Sequence, residues 1–182
     1  ISVSSLGHGH SEILEATKAQ IDRHMHLMVY GEYIISPQIK LAQELSKQLP
    51  EQLSTVYFTN SGTEATEGAM KLAKRFTGRT NFVSFRNSYH GSTQGALSIC
   101  GNEWLKNAYR PLLSGQTILD FNDESQFNLI DQHTAAVFVE PIQAEAGIIL
   151  PENNFLEKLS AHCKKVGALL VFDEIQTGMG RT

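Results

Sequence analysis

"FLEKLSAHCKKVGALLVFDE" occupies residues 155–174, and its reading decides the fold. Phe155, Leu159, Cys163 and Val166 recur at helical spacing, which predicts an amphipathic helix beginning near Glu152. Gly167 stops it, because glycine readily takes the left-handed conformation that ends helices. Ala168–Phe172 then runs without a polar residue, as strands buried on both faces do. Asp173 and Glu174 follow at once.

The same alternation extends outward. Ala135–Val139 (AAVFV) is a second continuous apolar run, and Asn81–Phe85 and Thr55–Thr59 are further strand candidates. Gly62–Phe76 is the clearest helix, with Ala65, Ala69, Leu72 and Phe76 as its expected inner face. Its acidic residues Glu64 and Glu67 lie near the start, and Lys71, Lys74 and Arg75 near the end, as the helix dipole favours. Ser11 is expected to cap a helix reaching about His26, with Ile13, Leu14, Thr17 and Ile21 on one stripe. Ser36-Pro37 opens another, which carries Leu41, Leu45 and Leu49 and stops at Pro50. Apolar strands alternating with helices predict a three-layer α/β/α fold with a mostly parallel sheet. Ligands in such folds bind outside the carboxyl ends of the strands.

Composition narrows the function classes. The chain has 182 residues, 41% of them hydrophobic, which is enough for a core and too many for disorder. A net charge of −4 gives no basic footprint for nucleic acid or an anionic membrane. Apolar stretches such as Gly167–Phe172 are far too short to span a bilayer. Cys100 and Cys163 form no paired motif and read as reduced core residues of a cytoplasmic protein. The opening "ISVSSLGHGH", without an initiator Met, and the abrupt close at Thr182 read as a fragment.

Several strand ends carry unusual polar residues. "YFTNSGTEATE" runs through Ser61-Gly62-Thr63 into a helix, whose free N–H groups make an anion site. Gly62 would let the backbone approach a phosphate closely. Ser61-x-x-Glu64 alone is equally a capping box that needs no ligand. Glu140, Gln143 and Glu145 follow the 135–139 strand; singly, each is an ordinary loop residue. Asp173 closes a strand of five apolar residues, where a carboxylate is costly unless paired. "NSYHG" (87–91) adds an aromatic ring and a hydrogen-bonding His beyond another strand. A phosphate cradle, a flat ring and a carboxylate for a cationic ring nitrogen together describe a site for pyridoxal 5′-phosphate.

The markers "LGHGH" (6–10), "YFTNSGTEATEGAMKLAKR" (57–75), "SYHGSTQGALS" (88–98), "VEPIQAEAGI" (139–148) and "LLVFDEIQTGMGRT" (169–182) occur in this order across nearly the whole chain. In them the chain resembles the class III (ornithine/acetylornithine/4-aminobutyrate-type) pyridoxal-phosphate-dependent aminotransferases of fold type I. The resemblance implies a ping-pong transfer of an amino group from an amino acid or ω-amine donor to a 2-oxo acid, in a homodimer with shared active sites. It implies an N-terminal segment over 1–36 and an incomplete cofactor-binding large domain over 37–182. Ser61, Gly62 and Thr63 are similar to the phosphate-binding turn, and Tyr89 to the aromatic that stacks on the cofactor. Asp173 is similar to the partner of the ring nitrogen, Ile175 to the aliphatic residue on the ring's other face, and Gln176 to the amide at its 3-hydroxyl. Glu145 resembles a gating glutamate, and Tyr30 an aromatic on the substrate side.

Two departures accompany the resemblance. The family's Schiff-base lysine falls a few tens of residues beyond Asp-x-x-Gln, and no lysine here matches it, so this chain by itself is expected to be inactive. Ornithine- and acetylornithine-type members carry Arg where this chain has Ser92, and ornithine aminotransferases place Tyr where it has Val3. Both point away from a specifically ornithine-like assignment. The rival reading is a metal-dependent hydrolase built on His8-x-His10 and His24-x-His26. The second pair falls on a predicted helix, where residues two apart do not face each other, so no metal site is expected. A non-catalytic piece that binds pyridoxal phosphate or phosphate is the other alternative.

Overall fold

The structure is a computed structural model that describes residues 4–28 and 32–182. It divides into two compact units, Ile1–Phe58 and Thr59–Thr182. The first contains helices α1 (Ser11–His24) and α2 (Ser36–Gln48). Both begin one residue earlier than expected: His10 and Ile35 stand at the cap positions, and neither makes a side-chain cap bond. Val3 and Tyr30 lie outside the described residues.

The second unit is built on helix α3 (Gly62–Thr77), strand β1 (Asn81–Phe85), the short helices α4 (Gln94–Ile99) and α5 (Glu103–Lys106), β2 (Gln116–Leu119), β3 (Thr134–Val139), α6 (Phe155–Val166) and β4 (Leu169–Phe172). The strands form one sheet in the order β2-β1-β3-β4, and every pairing is parallel. The β3 strand is buried along its whole length, which explains its unbroken apolar sequence.

Alternate residues of the strands supply two cores. Val83, Phe85, Val137 and Val139 pack with Phe155, Leu159 and Cys163 of α6. Phe82, Ala136 and Phe138 pack with Met70 and Ala73 of α3 and Ile99 of α4. Helices thus cover both faces, and the unit is a three-layer α/β/α structure. Both cysteines are free and buried. Burial pushes the Cys163 thiol up to about 12 and raises that of Cys100, as expected for inert core thiols.

Three expectations are corrected. The inner face of α3 is Thr66, Met70 and Ala73, while Leu72 and Phe76 are exposed. This helix carries two apolar stripes, and a sheet face already filled by Phe82 and Phe138 receives the smaller and more flexible one. Thr55–Thr59 forms no strand, because the run finds no ladder partner among the described residues; Tyr57 is 83% exposed. Helix α6 starts at Phe155 rather than near Glu152, because Asn153 and Asn154 adopt left-handed backbone angles ahead of it.

The chain moves from β1 outward to β2, then returns across β1 to β3 and β4. The direction of winding therefore reverses between β1 and β3. Segments leaving the carboxyl ends of those two strands splay apart there and leave a crevice. They carry Asn87–Ser92 and Glu140–Glu145.

Candidate functional site

Ser61 caps α3, its Oγ accepting from Glu64 N–H at 3.2 Å. The return bond of the capping box is displaced by one residue: Glu64 Oε2 accepts from Asn60 N–H at 2.7 Å. The capping reading is therefore realised. It leaves the first-turn N–H groups of Gly62 and Thr63 without a partner within the helix, as at any helix start. The Thr63 hydroxyl joins this turn to the loop after β1, accepting from Ser92 N–H at 3.2 Å and pairing with Thr93 Oγ1 at 3.1 Å. Glu67, one turn on, accepts from Gly95 N–H at 2.9 Å and Ala96 N–H at 3.1 Å, so a carboxylate of α3 caps α4.

This junction is close-packed. A Cβ on Gly91, whose φ is +128°, would fall 2.2 Å from Thr63 Oγ1. A Cβ on Gly62 would fall 3.0 Å from Ile175 Cδ1. Glycine at these two positions lets three loops meet.

Asp173 closes β4, its N–H donating to Val139 O at 2.8 Å. Its Oδ1 accepts from Ile175 N–H, and its Oδ2 lies 2.8 Å from His90 Nδ1. A carboxylate can only accept, so His90 donates from Nδ1. The His90 side chain is fully buried and that of Asp173 nearly so. Pairing thus offsets the cost of the carboxylate at this strand end. The other ring nitrogen, Nε2, is buried and has no hydrogen-bond partner.

Glu140 closes β3 and is 4% exposed. It accepts from the N–H groups of Tyr89 and Ala144, but its Oε2 is buried without a partner. Burial first, then the nearby Asp173 charge, pushes its carboxyl up to about 8.

Ser61, Gly62, Thr63, Tyr89, His90, Glu140, Asp173, Ile175 and Gln176 line one cavity of ≈ 290 Å³. A second cavity of ≈ 650 Å³ shares Tyr89 with it and is lined by Ser88, Asn102, Trp104 and Glu145. Gln176 Nε2 donates to Glu145 Oε1 at 3.1 Å. Each described residue given a site role from the sequence thus lies on one of two cavities that share a wall. Only Tyr30 is beyond this description. Sequence reasoning brought up the His of "NSYHG" as a hydrogen-bonding group and Glu140 as a strand-end residue, but gave neither a specific role in the site. Their signals were a His directly after the aromatic of "YHG" and a Glu directly after a fully apolar strand. Among the described residues no group of three or more His, Cys, Asp or Glu side chains could hold a metal. No helix of the described residues is long and apolar enough to cross a membrane.

The family described as aminotransferase class-III matches residues 1–182. An acetylornithine aminotransferase of Methanopyrus kandleri is 42% identical over all of this chain and 46% of its own length. A [LysW]-aminoadipate semialdehyde/glutamate semialdehyde transaminase of Sulfurisphaera tokodaii is 39% identical, again over all of this chain and 46% of its own. The chain spans about half the length of these curated relatives. Among solved structures, a PLP-bound amine transaminase from an uncultivated Pseudomonas species superposes with a TM-score of 0.90 at 28% identity. That match covers 100% of this chain and 48% of the other.

Proposed function

We propose a function on one premise: the chain belongs to the class-III aminotransferase family. The whole protein moves an amino group from an amino acid or ω-amine donor to a 2-oxo acid in two half-reactions, with pyridoxal 5′-phosphate seated in the ≈ 290 Å³ cavity. It is a fold type I homodimer of the cytoplasm in which the partner completes each site. Residues 37–182 belong to its cofactor-binding large domain and residues 1–36 to an N-terminal segment.

The buried His90–Asp173 pair carries this reading. It aims a paired carboxylate into a cavity that also holds an open helix start and an aromatic ring. The residues fit the cofactor: the first-turn N–H groups of Gly62 and Thr63 have no partner within the helix, and Nε2 of His90 and Oε2 of Glu140 are buried without one. When bound, the cofactor supplies a conjugated electron sink next to the amino-bearing carbon.

Each side chain has a stated task. Asp173 holds a proton on the ring nitrogen, because an adjacent carboxylate favours the cationic form. His90 fixes the rotamer of that carboxylate through Nδ1. The N–H groups at Ser61–Thr63 bind the phosphate, as helix starts bind anions. Tyr89 and Ile175 clamp the two faces of the ring, and Gln176 contacts its hydroxyl. Glu145, held by Gln176 in this structure, faces the substrate cavity as its gate. In the whole protein, Asp173→Asn should abolish most turnover with the fold intact; near-normal turnover would refute the ring-nitrogen role.

A second reading applies to the 182 residues by themselves. No lysine lines either cavity, and the buried Lys106 donates instead to Cys100 O at 3.0 Å. The chain alone therefore binds cofactor without a covalent anchor and without turnover. A borohydride-reducible absorbance from these 182 residues alone would contradict this.

A further inference from the structure

Glu140 has no task in the account above, yet it is the most deeply buried carboxyl of the cavity. It stands at the end of the central strand β3, beside Asp173 at the end of the neighbouring strand β4. The two carboxyls are furnished unequally. Asp173 has His90 and the Ile175 N–H. Glu140 has two backbone N–H groups and no cation, and one of its oxygens has no partner. The charged or titratable side chains near it are Asp173 and Glu145, both acidic, the buried Cys100, whose thiol is raised by burial and so stays neutral, and His90, which is committed to Asp173. Two neighbouring buried carboxyls with one favourable partner do not both ionise, and the proton stays with the worse-furnished one. Glu140 also lines the cavity, and a buried carboxyl oxygen without a partner is unexpected unless a ligand or a small rotation of the side chain supplies one.

We propose that Glu140 enters the site as a neutral carboxylic acid and is a binding residue, its carboxyl O–H donating to an acceptor oxygen of the ligand held against Asp173. This rests on the reading of the cavity as the cofactor site. It leaves Asp173 as the single anion facing the ring nitrogen. The site then matches one ring cation with one carboxylate, and Glu140 adds a donor rather than a second charge. Above the value of about 8 to which its surroundings push it, Glu140 loses that donor and becomes a second buried anion.

The test is calorimetric titration of the protein with pyridoxamine 5′-phosphate, which binds without a covalent link, for wild type, Glu140→Gln and Glu140→Ala. Glutamine keeps a donor and cannot ionise. Wild-type affinity should hold to about pH 8 and then fall roughly tenfold per pH unit. Glu140→Gln should bind like wild type at pH 7 and lack the alkaline fall. Glu140→Ala should bind about tenfold more weakly at neutral pH. Parallel profiles for wild type and Glu140→Gln would overturn the proposal and leave the cofactor reading standing. Failure of wild type to bind at any pH would overturn both. Should Glu140→Gln not fold, infrared spectroscopy of wild type decides: a protonated-carboxyl band at pH 7 that disappears by pH 9.5 supports the proposal, and its absence at pH 7 overturns it.

Discussion

At the amino-terminal end of the sheet, Arg79 Nη1 donates to the carbonyls of Thr134, Val166 and Gly167 at 2.9–3.1 Å. One guanidinium thereby ties the start of β3 to the turn between α6 and β4. At the carboxyl end, Ser88, His90, Glu140 and Gln143 each keep a buried polar atom without a partner. Gln116, at the start of β2, is the one such residue of this unit at the other end. The same four strands are thus closed off where they begin and left open where they finish. Buried polar groups are normally satisfied, so under the proposed function the open end is where a ligand would supply missing bonds. The difference suggests how to divide the molecule: interactions at the first end set stability, and, on the proposed function, residues at the second end give up some stability for binding.

Substitutions can break that division. Phe155→Ala should have the largest effect, because the ring contacts Phe85, Phe121 and Phe127 in the core that both ends share. A loss of about 3–5 kcal/mol is expected, seen as a large fall in Tm together with lost binding. Loss of binding at unchanged Tm would show that the ends do not share a core. Next, Asp173→Asn should lower turnover of the whole protein about 10²–10³-fold, with a much smaller change in Tm than Phe155→Ala. Arg79→Ala should do the reverse. Three charge-assisted bonds go, at a cost of about 1.5–3 kcal/mol, while cofactor affinity per folded molecule stays unchanged. A change in affinity as large as the change in stability would erase the distinction.

Two smaller effects sharpen it. Glu140 holds a proton in the folded state that the unfolded chain releases above the ordinary value of 4.5. The folded state therefore binds more protons between about 4.5 and about 8, and stability declines as pH rises through that window. Glu140→Gln should flatten this slope of Tm against pH; an unchanged slope would assign it to other groups. Smallest of all, Ser88→Ala removes a buried hydroxyl that bonds to nothing in this structure, so stability should rise slightly, by about 1 kcal/mol at most. A marked destabilisation would mean that this hydroxyl has a structural partner after all.

Much of this was legible in the sequence because the strands β3 and β4 are continuous apolar runs ending in charge. Such runs imply a buried parallel sheet, and the polar residues after them mark its working end. What stayed hidden depended on contacts between distant segments. The β2 strand is four residues long and only half buried over most of its length, so it shows no period to read. Helix α4 is buried almost throughout and is capped by Glu67 from another helix, so local spacing could not reveal it. The inner face of α3 was misjudged because two apolar stripes compete and only the sheet chooses between them. His90 reads as a hydrogen-bonding residue of a loop, but its partner stays hidden until Asp173, 83 positions away, is seen beside its ring. Glu140 likewise looks solvated until its strand is placed at the centre of the sheet.

On the proposed function, the open end of the sheet holds a ring nitrogen cationic through Asp173. The most direct test is the ¹⁵N chemical shift of ring-labelled pyridoxamine 5′-phosphate bound to the protein and to its Asp173→Asn variant. A protonated ring nitrogen in the wild type, persisting well above the pH at which the free ligand loses that proton, and an unprotonated one in the variant is the predicted result. An unprotonated nitrogen in the wild type, or the same shift in both proteins, would contradict the account.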